Sequence, residues 1–340
     1  MDHSIEPIKV YRGKYIESTH DVHVAVVNAE GELLAYYGDP HRLTFARSSM
    51  KPLQAIPVVE SGALEAFDIT EKELALFTAS HSGEPFHRES VADILEKINL
   101  SEDKLQCGTH IPKDIESYKS LIRDGGELTP FYSNCSGKHS GMLTGCVQQD
   151  LDIATYRELS HPYQQQIIDC ISEVGSYPKE KIVTSVDGCG VPVHRMPLDH
   201  LAMAFGRLAC PEKWTHGDET HKQSLARIRD AMIHYPEMVA GTKRYDTDLM
   251  KAFGNRIVAK GGAEGVHCYG DVQTGIGVAI KAADGNARAT NVASMDVLKQ
   301  MHIGDATIWD KLAVYSKAPV LNARDETIGE VIADFKLSFL

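Results

Sequence analysis

What limits this chain most is where its two kinds of hydrophobic periodicity fall. Strand-like runs stand at both ends, and helical spacing fills the middle. Residues 8–37 alternate apolar and polar around a turn at Gly13. His23-Val24-Ala25-Val26-Val27, the turn Asn28-Ala29-Glu30-Gly31 and Leu33-Leu34-Ala35-Tyr36-Tyr37 read as an antiparallel hairpin. Near the other end, 256–260, 266–269 and 275–280 are strand-like runs separated by glycines, and 331–337 is a final strand. Between these lie helical spacings over 49–60, 87–99, 115–123, 141–149, 163–174, 200–208 and 218–235. Thr70 and Glu73 form a capping-box pattern for one more helix, which should end near Ser80-His81-Ser82-Gly83. Ile182 to Val186 reads as a short strand delivering Asp187-Gly188-Cys189-Gly190, and 292–301 and 307–315 are helical. No repeat, low-complexity segment or Pro/Ser-rich linker interrupts the pattern. The expectation is an α+β fold, one antiparallel sheet built from both termini with a helical insert, and a single domain over 1–340.

Composition narrows the function. A net charge of −12 argues against a nucleic-acid groove, which needs clustered Lys and Arg, but leaves room for a small zwitterionic substrate held by one or two cations. Seven cysteines, an odd number spread over 340 residues, do not make a secreted disulfide framework. Met1-Asp2-His3-Ser4-Ile5-Glu6 lacks a basic region followed by an apolar run, so no signal peptide is expected. No stretch approaches the ~18 apolar residues of a membrane span. Cytoplasm is the expected compartment.

Arg47-Ser48-Ser49-Met50-Lys51-Pro52 holds the pairing that reads as covalent chemistry. At a helix start, positions i and i+3 share a face, so Lys51 can reach Ser48. A serine hydroxyl is a poor nucleophile until a neighbouring base takes its proton. For lysine to serve, its pKa must fall from ~10.4 to roughly 7–8, which calls for a desolvated pocket and a second cation. Thr78-Ala79-Ser80-His81-Ser82-Gly83-Glu84 puts small hydroxyls at a helix end. Lys260-Gly261-Gly262 closes an apolar strand and delivers a lysine beside bare backbone. A third cluster joins Asn134-Cys135-Ser136-Gly137-Lys138-His139 to Asp187-Gly188-Cys189. There Cys135, Cys189 and His139 suit a zinc site with an open position, although buried inert cysteines are commoner; Lys138 is a rarer nitrogen donor. The first three elements match the parts of serine β-lactamases and penicillin-binding proteins, without the exact second and third motifs.

The resemblance then becomes specific. The Arg47 to Pro52 block, Val59-Glu60-Ser61-Gly62-Ala63, Ser80-His81-Ser82-Gly83-Glu84, Cys107-Gly108, Asn134 to His139, Asp187 to Gly190, Tyr245-Asp246-Thr247-Asp248-Leu249-Met250 and Lys260-Gly261-Gly262-Ala263-Glu264-Gly265 closely resemble the L-asparaginase II family of the Rhizobium type. The blocks run in order over nearly the whole chain, and Met50 stands where another apolar residue is more usual. The resemblance implies a serine β-lactamase-like fold, a homodimer, and hydrolysis of L-asparagine to L-aspartate and ammonia. It places two Ser-Lys tandems on Ser48 with Lys51 and on Ser80 with Lys260. It places a zinc site on Cys135, Lys138 and Cys189, completed by water and serving substrate binding more than nucleophile generation. Asp187 matches a residue beside that site. Asp187 and Arg47 are candidates to hold the substrate's ammonium and carboxylate, with His139 counted among the substrate-binding residues. The alternative is a penicillin-recognising or esterase-type serine acyl hydrolase using the same tandem. A non-catalytic zinc-binding or regulatory protein is a third class, disfavoured by the absence of a basic stripe.

Overall fold

The computed structural model describes residues 6–340, whose contacts divide into two compact units. The first comprises the chain up to Ser49, Met196–Thr215 and Asp248–Leu340; the second comprises Met50–Arg195 and His216–Thr247. Both elements of the expectation are present: antiparallel sheets drawn from the two ends, and helices from the middle.

The first unit carries the strands. Its larger sheet has six, in the order Ser338–Phe339, Leu33–Tyr37, Val22–Asn28, Ile276–Ala282, Val266–Asp271 and Ile257–Gly262. The register sets Ala279 opposite Ala25 and Cys268, and Lys260 opposite Cys268 on its other side. The expected single sheet is two, because Ile8–Arg12 and Tyr15–His20 pair instead with Thr327–Ala333 and Ala318–Leu321. Val331 thus stands opposite Val10, and of the expected final strand over 331–337 only 331–333 is strand, as the end of Thr327–Ala333. The helix Leu198–Ala209 lies on the larger sheet against the three strands at its centre. That approach needs glycine: a Cβ at Gly277 would sit 1.9 Å from the Ala202 carbonyl oxygen, and one at Gly270 2.2 Å from that of Phe205. The helix Ala287–Gln300, begun by the Asn286 side chain on the Arg288 N–H, packs against strands of both sheets.

The second unit is helical, with one hairpin pairing Val183–Val186 to the strand that starts at Pro192. Thr70 and Glu73 form the reciprocal capping box that starts Glu71–Phe77. The expected helix over 49–60 is broken into a 3₁₀ turn at Arg47–Met50 and short helices Lys51–Gln54 and Ile56–Glu60. Pro52 and Pro57, each lacking an N–H, explain the breaks. The helix expected from Gly141 starts at Ser136, so Lys138 and His139 stand in its first turn and Cys135 is its N-cap. Among the described residues no helix is long and apolar enough to cross a membrane.

Candidate active site

In the helical unit the site is built around Lys51, the first residue of its helix and 1% exposed. Its Nζ donates to the Ala79 carbonyl, to Ser80 Oγ at 3.0 Å and to Cys135 Sγ at 3.2 Å. Three acceptors match the three N–H groups of an ammonium. The direct hydroxyl partner of Lys51 here is therefore Ser80.

Ser80 is held from several sides. Its helix stops at Phe77, and Thr78 Oγ1 donates back to the Ala75 carbonyl at 2.8 Å. The Ser80 N–H then bonds the Val239 carbonyl at 2.9 Å, and the His81 N–H bonds that of Asn134 at 3.2 Å. His81 Nδ1 accepts from the Gly83 N–H at 3.1 Å, which leaves Nε2–H to donate to Ser136 Oγ at 2.9 Å. Burial, then the neighbouring His87 and Lys51, keeps this imidazole well below its usual pKa, so it stays neutral and the tautomer stays fixed. Ser82 Oγ donates to the Ala240 carbonyl at 2.9 Å, and Glu84 accepts the Thr242 N–H at 2.9 Å.

The helix Ser136–Gln148 brings the sulfur cluster to Ser80 through a stripe of glycines. A Cβ at Gly137 would lie 2.4 Å from the Leu76 carbonyl oxygen, at Gly141 2.6 Å from the Phe77 ring, and at Gly145 2.4 Å from the Tyr163 ring. Their spacing of four puts all three on one helix face.

Cys135, Lys138 and Cys189 meet in this unit, all buried. Lys138 Nζ stands 3.0 Å from Cys189 Sγ. Cys189 comes from the turn after Val186, where Asp187 closes both ends: its N–H bonds the Val191 carbonyl at 2.9 Å and its own carbonyl accepts from Gly190. Hydrogen bonding from Cys135 holds Cys189 far below the usual thiol range against the cost of burial, with Lys138 assisting, and Cys135 is pushed up in turn. Burial alone would lower Lys138; Cys189, Cys135 and Asp187 outweigh it and raise it. Lys138 and Cys189 thus form a buried contact with Cys135 beside it. His139 is fully buried, and its Nδ1 bonds the Tyr156 hydroxyl at 2.6 Å. Burial lowers His139 and His194 to about 4. Cys189, in contact with both Cys135 and the Lys138 nitrogen, gathers two sulfurs and a nitrogen that suit zinc by donor type, provided Lys138 gives up its proton.

The sheet unit holds the other two residues. Ser48 lies in the 3₁₀ turn, next to Arg47, whose φ of +51° is in the left-handed region. Ser49 fixes that turn by giving both its N–H and its hydroxyl to the Ala46 carbonyl. Lys260 is 1% exposed, and its Nζ donates to the Gly261 carbonyl at 2.8 Å. Lys260-Gly261-Gly262 closes the strand Ile257–Gly262, as the sequence reading expects. A Cβ at Gly262 would sit 2.7 Å from the Ala46 oxygen and 3.2 Å from the Ser49 nitrogen. The glycine the sequence offered as bare backbone for a substrate is therefore the seat of the turn that carries Ser48.

Sequence reasoning missed the His81–Ser136 bond and the glycine stripe. Gly137, Gly141 and Gly145 at a spacing of four were the available signal.

A mixed α/β chain with a buried lysine on a serine hydroxyl has the equipment of a hydrolase, and comparison with known proteins supplies the family. The model of the L-asparaginase II family matches residues 8–333, and the chain belongs to that family. No curated protein matches it. It is similar to a solved β-lactamase of Mycobacterium bovis at 14% identity, over 83% of this chain and 95% of that one, with a TM-score of 0.43. It is also similar to the solved protein Mglu at 15% identity, over 84% of this chain and 69% of that one, with a TM-score of 0.39.

Proposed function

We propose that this chain hydrolyses L-asparagine to L-aspartate and ammonia through an acyl-enzyme on Ser48, as an asparaginase of the Rhizobium type. The match to the L-asparaginase II family over residues 8–333 carries this reading, and the Lys51–Ser80 bond at 3.0 Å supports its chemistry. Ser48 Oγ attacks the side-chain amide carbon while its proton passes to the lysine pair Lys51 and Lys260, with Ser80 as the relay. The C–N bond then breaks, and the leaving nitrogen takes a proton from the same pair and departs as ammonia. Water next attacks the aspartyl ester, giving its proton to the lysines and releasing aspartate and the Ser48 hydroxyl. Backbone N–H groups beside Ser48 and Lys260 stabilise the oxyanion. Arg47, Asp187 and His139 hold the substrate's charged ends.

Zinc belongs to this reading as the ion held by Cys135, Lys138 and Cys189, where it would supply a fixed positive charge toward an anionic substrate group. The chain acts as one catalytic domain in a cytoplasmic homodimer, without nucleic-acid or membrane partners.

Ammonia release from asparagine and glutamine, run beside a chromogenic β-lactam and an ester, tests the activity. Asparagine should be the substrate turned over, and Ser48→Ala should lose at least a thousandfold in kcat with the fold intact. Turnover of the lactam or ester alone would replace this reading with the penicillin-recognising or esterase alternative.

A further inference from the structure

A mixed cluster of donors lies elsewhere in the helical unit, in groups for which the proposed reaction has no use. Glu60, Cys170 and His221 each offer a ligand atom, and these atoms all lie within 4.8 Å of one another. They come from three separate helices: Glu60 ends Ile56–Glu60, Cys170 is inside Pro162–Val174, and His221 is in the first turn of Glu219–His234. Asp218 caps that last helix by accepting from the Thr220 and His221 N–H groups, which fixes where the imidazole starts. His221 Nδ1 stands 2.6 Å from Glu60 Oε1, and Nε2 stands 3.4 Å from Glu173 Oε2. Beside them is a cleft of about 210 Å³, lined by Pro57, Glu60, Ser61, Gln149, Gln166 and Cys170.

We propose that Glu60, Cys170 and His221 bind a borderline-soft divalent cation, with Zn²⁺ the best fit. One thiolate, one imidazole and one carboxylate are the three kinds of protein donor that zinc accepts. Tetrahedral bonds of ~2.0–2.3 Å place donors about 3.3–3.8 Å apart, so the cluster needs only side-chain adjustments. The Glu60–His221 contact must open by under about 1 Å on the same geometry. The cleft admits the ion and leaves room for water in the fourth position. Binding is an exchange without redox change: the Cys170 thiol gives its proton to solvent, as does the imidazolium where His221 carries one, and the ion takes their place. In the metal-free protein the Glu60–His221 ion pair keeps two of the donors assembled. The bound ion would staple three helices and so stabilise the unit by linkage.

The test counts zinc on the full-length, metal-stripped chain by equilibrium dialysis, for the wild type, Cys170→Ser and His221→Gln. The wild type should bind one equivalent more than either variant, whatever happens at Cys135 and Cys189. Zinc should also raise the Tm of the wild type more than that of the variants. With Co²⁺, the wild type should gain thiolate charge-transfer absorption that Cys170→Ser lacks. Circular dichroism checks the fold of each variant, and Glu60→Gln serves in place of any that fails to fold. Equal stoichiometry and equal cobalt spectra in the wild type and folded variants would overturn the proposal.

Discussion

Gly137→Ala is the sharpest test of how the helical unit holds its part of the site. The added methyl would lie 2.4 Å from the Leu76 carbonyl oxygen and 2.7 Å from Leu76 Cγ. Carbon–oxygen contacts below 3.0 Å are essentially unseen, so one helix must move by at least about 0.6 Å. Alanine gains about 1 kcal/mol of helix propensity over glycine, whereas overpacking costs about 1–3 kcal/mol and sits at its upper end when backbone must move. The net expectation is a loss of about 1–2 kcal/mol. Leu76 is four residues before Ser80, on the helix that ends at Phe77. Since a 1 Å misplacement costs up to ~10²-fold, a shift of this size should lower kcat about tenfold. Gly145→Ala is the comparator: it meets the Tyr163 ring at 2.4 Å, at the end of the helix remote from Cys135, and should lose stability without losing kcat. Urea unfolding and ammonia release read the two effects separately. Gly137→Ala with unchanged stability and kcat within twofold of the wild type would refute the packing argument.

Two further predictions rest on the same unit. His87 is fully buried, its Nε2 bonded to the Glu237 carbonyl at 2.9 Å, and burial lowers its pKa to about 4. The unfolded chain takes up this proton as pH falls through ~6.5 and the folded one does so only near 4, so stability is complete above that window and falls across it, by up to about 3 kcal/mol. His87→Gln should flatten the slope between urea unfolding at pH 7 and at pH 4.5, and an unchanged slope would exclude His87 as its source. Cys189→Ala leaves the buried Lys138 ammonium without its partner at 3.0 Å, which should cost the metal-free protein about 3–5 kcal/mol. A loss below about 1 kcal/mol would mean that Lys138 is neutral there.

What the sequence made legible follows from the range of each interaction. The capping box at Thr70 and Glu73 was readable because both partners lie within one turn. The hairpin through Val24 and Tyr37 was readable because a short turn fixes it. The division of the sheet was not, since whether Val10 pairs with the first hairpin or with Val331 depends on partners more than 300 residues away. At the site, the motifs marked which residues matter but not which meet. Spacing along a helix paired Ser48 with Lys51, and only the fold brings the Ser80 loop onto the Lys51 amine. The start of the Ser136–Gln148 helix is obscured in the sequence because glycines depress helix propensity, and the packing that compensates them is tertiary.

The choice between Ser48 and Ser80 as nucleophile turns on what each hydroxyl is already doing. Ser80 Oγ accepts from a lysine whose other two hydrogens go to the Ala79 carbonyl and Cys135, so in this charge state Lys51 is a donor toward Ser80 and not its base. That places Ser80 as a hydroxyl through which a proton reaches or leaves Lys51. Ser48 instead follows Arg47 at φ +51°, a left-handed conformation that costs roughly 1–3 kcal/mol, in a tight turn that Ser49 clamps twice to Ala46. The proposed mechanism has Ser48 as the acylated group and Ser80 as its relay. Ser80→Ala should then retain slow acylation, with an aspartyl adduct of Ser48 detectable by mass spectrometry of the quenched enzyme. Ser48→Ala should show no adduct at all, and an adduct on Ser80 in that variant would reverse the roles.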